Sequence, residues 1–241
     1  MKLAIKFLPL LLIYIMPFNV KSQPKKSMST TLNSKQKSLI TIASYTAQGD
    51  LVKLKTSLNA GLDTGVTVNE IKEALVHLYA YCGFPRSLRG IMTFMDVLDE
   101  RKAKGIYDKQ GSEASPIKDD RGKYIRGKET LEKLSGVKEK DPKTGYAAFA
   151  PEIEVFLKEH LFADIFERDV LNYQERELVT ISVLSSIGGV EPMLRSHLGL
   201  CLNVGIIPEQ LEEFMSIIRS TVVKEIAASA EEVLTGVLKN E

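Results

Sequence analysis

The sequence predicts an all-α fold in which one helical unit occurs twice. Apolar residues recur every three to four positions in almost every patterned segment, and no segment alternates as a strand does. Residues 32–79 and 171–218 share a framework. Leu32-Asn33 aligns with Leu171-Asn172, and Leu39-Ile40-Thr41-Ile42 with Leu178-Val179-Thr180-Ile181, at an offset of 139. One inserted residue then raises the offset to 140 and pairs Leu58 with Leu198 and Gly65 with Gly205. A period this long marks a duplicated domain, because solenoid units are shorter.

The N-terminus is a separate object. Lys2 and Lys6 precede an apolar run from Leu8 to Val20 that Pro17 interrupts. The run is short for a bilayer span. With Val20-Lys21-Ser22 behind it, it reads as a cleaved secretory signal over residues 1–22, an uncleaved anchor being the alternative. The mature chain then begins near Gln23, in a periplasmic or secreted protein with no stable membrane span after cleavage.

The first repeat occupies residues 23–100. Asn33 with Gln36 forms a capping box, and Gly49 ends the helix that carries Leu39, Ile42 and Thr46. Leu54, Leu58 and Leu62 mark a second helix, closed by Gly65. Thr67 and Glu70 cap a third, with Ile71, Ala74, Leu75 and Leu78 on its apolar face, and a fourth ends near Leu98. Residues 101–148 are charged and rich in turn formers, which reads as a linker carrying a short helix over Lys128–Leu134. The second repeat, residues 149–241, opens with an amphipathic helix bearing Ile153, Phe156, Leu157 and Leu161. Asn172 and Glu175 repeat the capping box, and Gly188-Gly189 and Gly205 repeat the stops. Pro208 opens the third helix of this copy, and the fourth ends near Leu238.

The formal charge of +1 and the absence of tryptophan argue against a nucleic-acid partner. No CxxC, HExxH, GxSxG or glycine-rich nucleotide loop occurs, and three histidines give little for a metal site, so neither a metal nor a cofactor is implied. The two cysteines, Cys82 and Cys201, lie in opposite repeats. In an oxidising compartment they could pair; buried, unpaired thiols are the favoured reading.

The polar residues do not repeat. His197 and Glu177 in the second copy face Ser57 and Ser38 in the first, while Tyr81-Cys82-Gly83-Phe84-Pro85 in the first faces Thr221 to Glu225 in the second. His197 and Cys201 share a helix face at i and i+4, which suits a proton shuttle or an activated thiol, or simply a core residue beside a satisfied histidine. Glu177 could orient His197 across the hairpin, or favour a helix N-terminus. Gly83 and Pro85 interrupt a helix, so backbone groups near them could meet a ligand; His77 and Tyr81 share a face there.

At these residues the chain resembles the carboxymuconolactone decarboxylase family in a tandem, secreted form. The resemblance rests on Arg176 to Thr180, Arg195-Ser196-His197-Leu198, Leu202-Asn203-Val204-Gly205 and Tyr81 to Pro85, and it spans both repeats. It implies a duplicated, alkylhydroperoxidase D-like helical domain that oligomerises, with pockets between helices or between subunits. It further implies a small-molecule substrate and proton-relay positions at Glu177 and His197. In alkylhydroperoxidase D a CxxC pair precedes the histidine; here those positions are Val190 and Met193.

The expectation is therefore a decarboxylase-like enzyme acting on a small lactone or carboxylic acid. His197, Glu177 and Cys201 are its candidate catalytic residues. Tyr81, Cys82, Gly83, Phe84 and His77 would line the site, and Arg195 would pair with a substrate carboxylate. A thiol peroxidase using Cys201 or Cys82, and a non-catalytic exported binding protein, are the alternatives.

Overall fold

A computed structural model describes residues 29–239; the signal expected over residues 1–22 lies outside the described residues. Among the described residues no helix is long and apolar enough to cross a membrane. The described residues form helices joined by loops and no strands.

The first repeat comprises α1 (Ser34–Gln48), α2 (Leu51–Asp63), α3 (Val68–His77) and α4 (Tyr79–Ala103). Between the repeats lie α5 (Lys123–Ser135) and α6 (Gly145–Phe149). The second repeat opens with α7 (Pro151–Phe156), which runs straight into a π-helical stretch, Leu157–Ile165, and continues with α8 (Tyr173–Ile187), α9 (Glu191–Asn203), α10 (Pro208–Thr221) and α11 (Lys224–Leu238). Both predicted capping boxes form. Asn33 accepts the Gln36 N–H at 2.9 Å, and Asn172 accepts the Glu175 N–H at 3.0 Å, each N3 side chain accepting in return. A cap of this kind stabilises a helix by ~1 kcal/mol.

Two ion pairs reveal the relation between the repeats. Glu73 of α3 binds Arg176 of α8 at 2.7 Å, and its counterpart Glu213 of α10 binds Lys37 of α1 at 2.6 Å. The same contact thus occurs twice, in opposite directions, as an approximate two-fold axis requires. Near that axis α1 packs on α8, with the Ser44 and Ser186 hydroxyls 2.8 Å apart. The cores interlock: Leu32 and Ile40 belong to the apolar cluster of the second repeat, and Leu171, Val179 and Val183 to that of the first. Each fully buried aliphatic side chain contributes ~1.5–3 kcal/mol. Neither repeat therefore has a complete core without the other.

The intervening region differs from its sequence reading. The charged residues after Leu98 continue α4 to Ala103, because Arg101 is buried and bonded to Asp108 at 2.8 Å and to Asn59 at 3.2 Å. The loop beyond is irregular but anchored: carbonyls of Lys109 and Gln110 accept the Val68 and Asn69 N–H groups at the start of α3. The helix expected over Lys128–Leu134 extends to Lys123–Ser135 and packs on the π-helical stretch through Leu134, Leu161, Phe162, Ile165 and Phe166.

The feature that positions the site is the break in α4. Gly83 takes φ 76°, ψ 162°, outside helical space and costly for any residue with a Cβ, and Pro85 follows without an N–H. Just before the break, Tyr81 packs against the apolar clusters of both repeats.

Candidate active site

His197 of α9 and Glu177 of α8 are brought together by the helical hairpin that Gly188 and Gly189 turn. The distance between His197 Nδ1 and Glu177 Oε2 is 2.7 Å. Glu177 is fully buried, and its other oxygen has no hydrogen-bond partner. The His197 side chain keeps 14% of its surface exposed. An imidazole donating from Nδ1 to a carboxylate presents Nε2 as the exchangeable position.

Tyr81 arrives from the first repeat. Its ring meets the His197 ring edge-on, centroids 5.4 Å apart, and the His77 ring at 5.3 Å. Tyr81 touches all three apolar clusters. Its hydroxyl is buried and forms no hydrogen bond of good geometry, although the Thr180 hydroxyl is close enough to act on its ionisation. Burial, and then the Glu177 carboxylate, push this phenol above its usual range, so it is a neutral donor.

His77 is fully buried and belongs to a second polar layer. A guanidinium has only donors, so Arg176 Nη1, 3.4 Å from His77 Nδ1, requires a lone pair there. The proton then sits on Nε2, which donates to Thr180 Oγ1 at 2.8 Å. Burial, with Arg176 and His197 adding to it, holds His77 well below its ordinary value and keeps it neutral. Arg176 is itself buried and donates to Glu73 at 2.7 Å and to the Arg168 carbonyl at 2.6 Å. Burial raises the Glu73 carboxyl, but bonds from Arg168 and Arg176 outweigh it, and the group lies below the usual carboxylate range.

The thiols are placed differently from the dyad. Cys201 is fully buried in the apolar cluster of the second repeat, and burial, then Glu177, push its thiol well above the ordinary value. Cys82 is half-buried, donates to the Leu78 carbonyl at 3.3 Å, and is pushed up to about 11 by burial, against the opposing effect of Arg86. Both cysteines are free.

An open cleft of about 560 Å³ lies between the repeats, lined by Ala47, Gln48, Tyr81, Cys82, Arg86, Ser186 and Ile187. Tyr81 lines this cleft and also touches the His197 ring, while His197 and Glu177 lie behind it and are not part of the lining. Of the residues expected to line a site, Tyr81 and Cys82 do so. Gly83 supplies the kink, and Phe84 turns outward to stack on Tyr79 at 4.6 Å. Arg195 is exposed, with its guanidinium against Gly236 of α11 rather than at the cleft. Sequence reasoning did not single out Glu73, Thr180 or Arg86. The signal for Arg86 was present: its counterpart in the second repeat, at offset 140, is Ile226.

A duplicated helical domain with a histidine–carboxylate dyad, met by the Tyr81 kink, defines a class rather than a single reaction. The model of the "Carboxymuconolactone decarboxylase family" matches residues 25–91 and 151–235, one segment per repeat, and the chain belongs to that family. Among curated proteins it is similar to a nitrosuccinic acid decarboxylase of Metarhizium robertsii, 30% identical over 76 residues, which is 32% of this chain and 53% of the relative. The chain thus spans about half the length of that relative.

Proposed function

We propose that this protein is a decarboxylase-like lyase acting on a small carboxylic acid that carries an electron-withdrawing group beside the carboxylate it loses. The observation that carries the reading is the 2.7 Å contact between His197 and the buried Glu177, with Tyr81 of the other repeat against the imidazole.

In this reaction the bond between the α-carbon and the carboxylate breaks. CO₂ leaves, and the electron pair stays on carbon, delocalised into the withdrawing group. Protonated His197 then gives its Nε2 proton to that carbon and becomes neutral; solvent returns the proton. Glu177 holds Nδ1–H and so fixes which nitrogen exchanges, and general acid catalysis of this kind is worth ~10²–10⁴-fold. Tyr81, kept neutral, walls the site. Family membership and the decarboxylase relative favour this chemistry. The thiol route has less support, because burial disfavours both thiolates.

The test is CO₂ release from a panel containing carboxymuconolactone and nitrosuccinate, by wild type and by His197→Ala. Turnover by wild type with a loss of ~10²-fold or more in the variant is expected. Equal rates, or no release from any acid of the panel, would reject the proposal.

A further inference from the structure

We propose that the cleft between the end of α1 and the kink of α4 is a carboxylate-binding site in which Arg86 is the anchor. This rests on the decarboxylase reading for its context and deepens it.

Arg86 lies in the cleft lining with Gln48, Tyr81 and Cys82, and no acidic residue lines the cleft. Its guanidinium donates to no protein acceptor and joins no ion pair among the described residues. The Gln48 amide nitrogen donates to Ser44, 3.1 Å from its carbonyl and 3.0 Å from its hydroxyl. Arg86 is exposed, so its donors face solvent, and the cleft presents a positive charge that an oxygen anion can bind in a bidentate manner.

The duplication separates a structural role from a binding role. Arg86 packs over Gly49, the left-handed residue that ends α1: its Nη1 lies 1.5 Å from where a Cβ on Gly49 would sit. In the second repeat Gly188 ends α8, and Ile226, the counterpart of Arg86, lies over it with Cδ1 4.0 Å from the equivalent point. Covering the helix-ending glycine thus takes only an apolar side chain. The space beside Ile226 is small, about 10 Å³, and the residue in the place of Tyr81 is Thr221. The guanidinium, the larger cleft and the aromatic wall occur together, in one copy only.

The position of the charge also narrows the substrate. A guanidinium bound to the departing carboxylate would stabilise the ground state and slow loss of CO₂. Arg86 is therefore assigned to a second carboxylate that stays on the molecule, and the ligand class is a small diacid.

Cys82 reports on the cleft directly, since the other thiol is fully buried. Alkylation of Cys82 by neutral iodoacetamide is to be followed with and without succinate, in wild type, Arg86→Ile and Arg86→Lys. Each protein is compared with itself, because Arg86 also acts on the Cys82 thiol. The expected result is slower alkylation with succinate but not with succinamide, and succinate affinity ~10-fold or more weaker in Arg86→Ile. Partial retention is expected in Arg86→Lys. Protection that persists in Arg86→Ile, that succinamide gives equally, or that succinate never gives would overturn the assignment. If protection behaves as expected while no acid is turned over, the anchor stands and the proposed reaction falls. If an acid is turned over with KM unchanged in Arg86→Ile, the reaction stands and the anchor falls.

Discussion

Replacing Glu177 by glutamine separates a catalytic carboxylate from a structural one. The substitution keeps shape and removes charge. Glu177 Oε2 sits 2.7 Å from His197 Nδ1, a short contact in a fully buried setting, and its other oxygen is unpartnered. A hydrogen bond to a charged group contributes ~1.5–3 kcal/mol. If that difference is felt where the imidazole donates its proton, kcat falls by ~10- to 150-fold. Stability should change little, because the variant exchanges an unpartnered carboxylate oxygen for an unpartnered amide NH2 at the same buried position. Steady-state CO₂ release and thermal unfolding on the same preparations give both quantities. The reasoning is refuted if the rate per folded molecule holds while Tm falls, since Glu177 would then serve the fold alone.

The other predictions follow from the polar layer, the thiols and the surface. Glu73→Gln leaves the buried Arg176 without its carboxylate, a loss of ~3–5 kcal/mol that urea unfolding would detect. The folded-state pKa of Glu73 is depressed, so its contribution is complete above the ordinary glutamate value of ~4.3 and is lost as pH falls below it. Wild type should accordingly lose more stability than Glu73→Gln between neutral and strongly acidic pH; equal losses would contradict the assignment. A thiol reagent should titrate only Cys82 in the native protein and reach Cys201 after denaturation; native labelling of Cys201 would contradict its burial. Phe84, Leu88, Met92 and Met95 form an exposed apolar stripe on α4, so a dye that fluoresces on apolar surfaces should bind native wild type more than Met92→Glu, and equal binding would contradict the exposure of this face.

The fold was legible because its punctuation repeats. Asn33 and Asn172, with Gly49 and Gly188, sit at matching offsets, and caps act locally, so sequence suffices to find them. The pairing of Glu177 with His197 was suggested by a hairpin whose turn is short. The meeting of Tyr81 with His197 depends on how two repeats dock, which no local pattern encodes. Arg195 and Arg86 show the same limit. Both are arginines near motif residues, and only packing decides that one lies beside α11 and the other in the cleft. The greater length of α5 carries no apolar period because the face it buries before Leu134 is made of Arg126, Gly127 and Thr130. The continuation of α4 to Ala103 depends on Arg101 finding Asp108 beyond the helix end, and a charge run read alone suggests solvent instead.

The most direct measurement is the isotopic outcome of a single turnover in D₂O with an accepted acid. If His197 delivers the proton to the carbon that lost CO₂, the product carries deuterium there in one configuration, and His197→Ala loses that selectivity. A racemic label from wild type, or the same configuration from His197→Ala, would show that the imidazole held by Glu177 does not perform the step assigned to it.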